Sequence, residues 1–501
     1  MEMDLFCSFQ CFLLLSLVIL YCFFFSLHHK RKVNNHGFKS YPILGSLPDF
    51  LRNRHRFLDW TTEILRQCPT NTAVFRRPGK IHGVITANPL NVEYALKNNF
   101  KNYPKGERFI WMLNDFLGRG IFNSDGEVWK IQRKTASYEF STKSLRNFMM
   151  DCVRVEISTR LIPVLYQASQ TNQVLDLQDI LEQFAFDNIC KLAFNVDPGC
   201  LAGAGNGSHF MRAFEEAATL SSGRFMYAFP FLWKLNKLLN IGSEKNLKKS
   251  TEIVHDFADN IINTRLQSKE ETKDRDLLSR FIENDDNSPQ FLRDIIISFI
   301  LAGRDTTSSA FSWFFWLLSR NQNVERNILN ELETIRTRNG KTIGDAYTFD
   351  ELRDMHYLHA SISESMRLYP PVPVDTKACL NEDILPDGTF IGKDWFFTYH
   401  AYAMGRMKVI WGENCEEYFP ERWLDEHGKY RQENPFRFPI FHGGPRMCLG
   451  KDMAYIQMKS IVAAVLERFV VEVQGKDKSP QHLLSLTLRM KGGLSIRVRE
   501  R

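Results

Sequence analysis

The stretch "SPQFLRDIIISFILAGRDTTSSAFSWFFWLLSR", residues 288–320, limits the fold more than any other part of the chain. Ser288 suits an N-cap and Pro289 a first helical position, and the pattern then continues for about 30 residues, or roughly 45 Å of helix. Apolar side chains occupy nearly all faces, so this helix has to be wrapped by others in the middle of a large body. Ala302-Gly303-Arg304-Asp305-Thr306-Thr307 interrupts it. A mid-helix glycine costs about 1 kcal/mol against alanine, and an acid beside two hydroxyls is costly among apolar neighbours. In isolation the segment reads as a packing glycine with threonines bonding back to the helix. A function would offset the cost if the rest of the chain supplied one.

The surrounding pattern is mainly α with a smaller β-rich part. Residues 53–67 read as helix, "TAVFRRPGKIHGVITAN" as a strand pair turning at Pro78-Gly79, and Asn88-Pro89 as the start of a helix to about residue 98. Residues 126–340 are almost wholly helical, with loops near 198–208 and 268–288, and residues 372–402 return to short strands and turns. "GAGNGS" at 203–208 lacks a strand-helix context and is not followed by G-K-[ST], so it reads as a flexible connection rather than a nucleotide loop.

The 501 residues contain no linker-like stretch, and 44% hydrophobic with 13% aromatic residues is ample for one large core. A net charge of +6 from well-mixed acids and bases excludes nucleic-acid binding as the main role. The ten cysteines follow no disulfide or zinc framework, which points to a reducing compartment. "LFCSFQCFLLLSLVILYCFFFSL" is an uncharged run of about 23 residues, enough to cross a bilayer core of ~30 Å. Lys30, Arg31 and Lys32 follow it, so the positive-inside rule leaves the body cytosolic. The expected organisation is a single transmembrane anchor with a basic stop over residues 1–32, a proline-containing hinge over 33–52, and one catalytic domain over 53–501. The sequon at Asn206 is then expected to stay unglycosylated.

"FHGGPRMCLGKDMAYIQMKS", residues 441–460, sets Cys448 among glycines and an arginine, directly ahead of a helical pattern. Gly443, Gly444 and Gly450 remove bulk on both sides of the sulfur and let the backbone approach something large and flat. A helix N-terminus favours a thiolate, and a thiolate with Arg446 beside it suits a soft metal in an anionic ring. Haem is the leading candidate.

Phe441, Gly444, Arg446, Cys448 and Gly450 match the F-x-x-G-x-R-x-C-x-G signature, and the chain resembles the cytochrome P-450 haem-thiolate monooxygenases. Five fixed positions match by accident in about one chain in 10⁴. The resemblance implies the cytochrome P-450 fold, with haem b between the long central helix and the Cys loop and Cys448 as axial ligand of the iron. It casts Asp305 and Thr306 as the catalytic pair that binds oxygen and relays protons, with Gly303 leaving room above the ring. In "EVWKIQRK" it makes Trp129 and Arg133 holders of a haem propionate, together with Arg446 and, as a weaker assignment, Lys377. Glu364 and Arg367 in "ESMR", with Arg422 in "FPERW", become a structural brace behind the Cys loop. Read alone, a Glu-Arg pair at i, i+3 is usually a weak surface ion pair and a Trp-Arg pair a simple stack.

With no nucleotide site of its own, such an enzyme would use O2 and electrons from NADPH delivered by a separate NADPH-cytochrome P-450 reductase on the endoplasmic reticulum membrane. "GIFNSDGEVWKIQRKTASYEF" and "ILPDGTFIGKDW" are similar to a plant branch that oxidises the ends of aliphatic chains. Fatty acids, jasmonate conjugates and the C-26 position of sterols remain open as substrates. By the same resemblance Phe109, Trp111, Phe116, Phe122, Ala302, Val372 and Val374 line the substrate cavity, although composition alone makes them ordinary core. Lys105, Arg108 or Arg119 would serve a carboxylate at the mouth. A haem-thiolate isomerase or dehydratase of lipid hydroperoxides is the alternative, and a nonenzymatic anchored haem sensor explains least.

Overall fold

The computed structural model describes residues 37–140, 143–203, 207–267, 276–283, 288–477 and 479–501. The run read as a membrane anchor and the sequon asparagine at 206 lie outside them. Among the described residues no helix is long and apolar enough to cross a membrane.

The central helix forms as its sequence demands, with one departure. Ser288 caps it by accepting from Phe291 N at 3.2 Å. It then runs as α-helix over Pro289–Ile300, π-helix over Leu301–Asp305 and α-helix again over Thr306–Ser319. The spacing predicts an unbroken α-helix, and the π turn falls on the segment with the glycine and the acid. Thr306 Oγ1 donates to the Ala302 carbonyl at 2.6 Å, so a side chain competes for a main-chain acceptor at this turn.

All-round hydrophobicity is resolved by packing on every side. The first half of the helix joins an apolar cluster with Phe186, Phe210, Phe214 and Ala258. The second half joins another with Leu181, Phe184, Ile362 and Ile461. Leu177–Phe194 and His356–Leu368 both pack on the helix. Trp313 stacks on Tyr369 at 4.0 Å and donates Nε1 to the Leu488 carbonyl at 2.9 Å, so the only polar atom of a fully buried indole is satisfied.

Among the described residues the strands form four separate sheets, of which the largest has four strands. Thr72–Arg77 pairs antiparallel with Ile81–Thr86, as the alternation predicts. Ile81–Thr86 pairs parallel with Phe396–Tyr399, which pairs antiparallel with Asp375–Ala378. This four-stranded sheet carries Asp375 and Lys377 toward the Cys loop, where His442 Nε2 lies 3.4 Å from Asp375 Oδ2. In the segment read as hinge, Leu47–Arg52 is helical and buries Leu47 and Phe50, the latter in the cluster under this sheet.

Candidate active site

Cys448 stands between the short turn Gly444–Arg446 and the helix Lys451–Leu466, whose N-cap is Gly450. Its N–H donates to the Phe441 carbonyl at 2.8 Å and closes the loop. Gly444 has φ +66°, and a Cβ there would land on the carbonyl oxygen of Leu96, so only glycine lets the loop press this close. A Cβ on Gly450 would touch both the Phe140 ring, at 3.7 Å, and the Cys448 sulfur, at 4.0 Å. Phe140 in turn stacks on Phe299 of the central helix at 6.0 Å, so the loop and the helix flank the same interior region.

The thiol is surrounded by protein yet keeps accessible surface. Burial raises its pKa, and the Gly450 N–H, Arg133 and Lys451 offset this only in part. The helix end acts in the expected direction, through the Gly450 N–H, and desolvation opposes it. A coordinated metal deprotonates a thiol outright.

Cations surround the loop. Arg446 donates Nη2 to the Ser124 carbonyl at 2.9 Å and to Asp125 at 2.6 Å, and its guanidinium lies 4.3 Å from the Trp129 ring. Among the described residues its Nε has no hydrogen-bond partner. Trp129 and Arg133 sit one turn apart on Gly126–Phe140, but Trp129 stacks with Arg446 and not with Arg133. Arg133 reaches the loop itself and donates to the Met447 carbonyl. Lys377 and Lys105 both bind the half-buried Asp375, at 2.7 and 2.5 Å. Lys105 is thus an interior residue of this group rather than a free cation at the surface.

On the central helix, Ala302, Gly303 and Thr306 keep accessible surface while Leu301, Arg304, Asp305 and Thr307 are buried. Ala302 and Thr306 are i, i+4 neighbours, which makes one accessible strip in a stretch, 294–318, that is otherwise buried apart from Gly303. Gly303 serves packing: a Cβ there would meet Ile189 Cγ1 at 2.5 Å, so the glycine admits the neighbouring helix and does not simply clear space above a ring. Asp305 points away from solvent to Arg304 at 2.7 Å. Arg304 also binds Glu182 at 3.1 Å, Glu182 binds Arg489 at 2.5 Å, and Arg489 reaches Glu215, whose side chain is 38% exposed. Burial pushes the pKa values of Asp305 and Glu182 up, against the pull of Arg304. Glu182, Arg304 and Arg489 carry no local sequence signal, because they come together from separate elements.

Glu364, fully buried, accepts from Arg367 Nε at 2.7 Å, Arg422 Nε at 2.8 Å, Phe419 N at 3.0 Å and Trp423 Nε1 at 2.9 Å. The Trp423 ring packs on Phe438 at 4.7 Å, just ahead of the turn Pro439–Phe441 that enters the Cys loop.

The residues expected to line a substrate cavity separate into three groups. Phe116 is fully buried against Phe214 at 5.0 Å and belongs to the core. Phe109 is half-buried beside Phe225 at 5.3 Å, while Val372, Val374 and Ala302 are half-buried. Trp111 and Phe122 are exposed, Trp111 stacking on Trp233 at 4.2 Å.

A soft sulfur with accessible surface, an unpartnered guanidinium nitrogen on Arg446 and an accessible strip on a polar-interrupted helix together fit a haem. The comparisons agree. The family described as Cytochrome P450 matches residues 36–495, and the chain belongs to it. The chain is 52% identical over 459 residues to cytochrome P450 CYP94D108 of Paris polyphylla, covering 91% of each chain. It is 45% identical over 474 residues to cytochrome P450 94A1 of Vicia sativa, with 92% and 90% covered. It is 47% identical over 453 residues to cytochrome P450 94C1 of Arabidopsis thaliana, with 88% and 89% covered. The protein is therefore a monooxygenase that binds haem b, uses O2 and draws NADPH-derived electrons from a reductase.

Proposed function

We propose that the enzyme hydroxylates the terminal carbon of a lipid chain, either the ω position of a fatty acid or the C-26 position of a sterol side chain, with onward oxidation to the aldehyde open to it. Residues 1–32 anchor it in the endoplasmic reticulum membrane through a single span, residues 33–52 form the hinge, and the domain from residue 53 stays cytosolic beside NADPH-cytochrome P-450 reductase. The observation that carries the reading is the accessible Ala302–Thr306 strip beside a buried acid, with an accessible thiol in the loop opposite.

Cys448 holds the haem iron. Trp129, Arg133 and Arg446 hold the propionates with Lys377, and Phe441, Gly444 and Gly450 shape the loop around the sulfur. The bound haem supplies oxygen activation and the oxidation of a C–H bond. Thr306 presents its hydroxyl on the accessible strip, and Asp305 holds a proton behind it. The chain of Arg304, Glu182, Arg489 and Glu215 gives that acid a polar route to the surface through apolar surroundings. Glu364, Arg367 and Arg422 brace the Cys loop. An isomerase of lipid hydroperoxides would have no use for this route.

The test offers C12 to C18 fatty acids beside cholesterol and 22-hydroxycholesterol to microsomes with reductase and NADPH, and reads product position by mass spectrometry. Product at a chain end of either class supports the reading. Turnover of neither, or turnover of hydroperoxides without NADPH, would sink it.

A further inference from the structure

A second cluster of cations lies at the edge of the sheet, away from the Cys loop. Arg77, on Thr72–Arg77, is only 6% exposed, and among the described residues its guanidinium donates to main-chain carbonyls alone, Nη2 to Tyr227 O at 2.6 Å and Nη1 to Phe225 O at 3.5 Å, while lying over the Phe50 ring at 5.3 Å. Its Nε has no hydrogen-bond partner among them. Arg108, half-buried on the helix Glu107–Leu117, donates to the Lys80 and Gly79 carbonyls at 3.1 and 3.2 Å and lies over Phe396 at 5.4 Å. Lys234 sits over the Trp111 ring at 4.3 Å. Among the described residues no carboxylate lies within 4.0 Å of any of the three, and the acid that acts on Arg108 from farther off is Asp394. By contrast, Arg224 at the same place is neutralised by Glu244 and Asp115.

Cations taken out of water without a counter-charge are costly, and carbonyl dipoles offset only part of that cost. Burial and the neighbouring Arg108 push the Arg77 pKa down to about 10, a sign of the same imbalance. The cavity beside them, about 160 Å³, is lined by Arg108 and Lys234 together with Trp111, Phe225, Trp233 and Phe396. Charge surplus and aromatic walls suit a molecule with an anionic head and an apolar chain. Phe109 links this mouth to the interior, since its ring is 5.3 Å from Phe225 and 4.6 Å from the Lys105 ammonium.

We propose that Arg108, backed by Arg77 and Lys234, is the head-group site that holds the carboxylate of the substrate and so leaves the far end of its chain as the part that reaches the Ala302–Thr306 strip. This rests on the lipid-hydroxylase reading and selects among its substrates: acids use the site, neutral sterols do not. Of the three basic residues that the sequence offers for a carboxylate, Lys105 is committed to Asp375 and Arg119 to Glu107, which leaves Arg108.

The test uses the full-length haem-loaded protein in neutral detergent and follows the spectral change of the haem on titration with dodecanoate and with methyl dodecanoate. Arg108→Gln is expected to weaken dodecanoate binding about 10- to 100-fold, the range for a hydrogen-bonded charge, and ester binding less than about threefold. Lys234→Gln, which spares the carbonyl contacts of Arg108, is expected to weaken the acid alone by a smaller factor. Equal weakening of acid and ester by Arg108→Gln would overturn the proposal, since Arg108 would then merely tie the hairpin turn to the helix. So would unchanged acid affinity with reduced binding to phosphatidylserine vesicles, which would assign the cations to lipid head groups. If wild-type protein binds dodecanoate through Arg108 but oxidises no chain end, the site stands and the lipid-hydroxylase reading fails. If a sterol is oxidised at its chain end while wild type binds acid and ester equally, that reading stands and the site fails.

Discussion

Replacing Glu364 by glutamine changes one oxygen to an NH2 group and removes one charge, yet the structure makes this a severe substitution. Glu364 lies between two guanidiniums, and Arg367 is itself fully buried with its remaining donors on the Cys415 and Glu417 carbonyls at 2.6 and 2.9 Å. Burial alone would raise the Glu364 pKa, but Arg367 and Arg422 outweigh it and hold the carboxylate below its usual value. Glutamine leaves Arg367 without a counter-ion and points an amide donor at Arg367 or Trp423. Breaking a buried pair in this way costs about 3–5 kcal/mol, a fifth or more of a typical total stability of about 5–15 kcal/mol. The exposed pair Arg353–Asp350, at 3.7 Å, provides the contrast, since Asp350→Asn should cost under about 1 kcal/mol. The assay is the thermal midpoint of the holoprotein followed at the Soret band, with the carbon monoxide difference spectrum as measure of intact thiolate ligation. Glu364→Gln should lower both the midpoint and the yield of holoprotein, while Asp350→Asn moves neither. A Glu364→Gln protein with wild-type midpoint and full haem content would refute the reasoning.

Cys448→Ser should abolish the reduced carbon monoxide band near about 450 nm and all turnover, and undiminished product from folded variant would contradict the assignment of the ligand. Thr306→Ala and Asp305→Asn should leave substrate affinity within about threefold but cut product formed per NADPH consumed by about tenfold or more, since positioned acid-base groups contribute about 10²–10⁴ in rate. Equal product per NADPH in both variants would remove them from proton delivery. Asp294, buried under the Gly118–Gly120 loop, accepts from Arg119 N at 2.8 Å, and burial pushes its pKa up to about 6. Because the folded state holds this proton more tightly than the unfolded one, the group loses stability as pH rises from about 4 to about 6 and is level above that. Asp294→Asn should therefore gain most over wild type in denaturant midpoint at pH 7.5 and lose that gain toward pH 4.5.

Local patterns in the sequence carried most of the architecture. The capped central helix, the hairpin at Thr72–Thr86 and the Cys loop each depend on neighbours a few residues apart, so periodicity and turn residues suffice to find them. What they could not reveal was set by distant partners. The close approach of the Leu177–Phe194 helix at Gly303 is one such case, and Trp129 takes Arg446 as its cation although Arg133 is its neighbour on the helix. Phe116 and Trp111, five residues apart on one helix, end in the core and at the surface because the helix is covered on one face only.

The costly residues of the central helix make sense only with those distant partners. Asp305, Glu182 and Glu215 face two guanidiniums, Arg304 and Arg489, so the group has one more acid than base. Burial raises the proton affinity of Asp305 and of Glu182, whereas Glu215 reaches solvent. A surplus of acid over base in a low-dielectric interior favours proton uptake at its buried carboxyls, here Asp305 and Glu182. A helix with leucine or alanine at 304 and 305 would be more stable and would bring no proton to the accessible strip. The same arithmetic makes Arg489→Gln, about 180 residues from Thr306 in the chain, a change that should disturb proton supply without touching the strip itself.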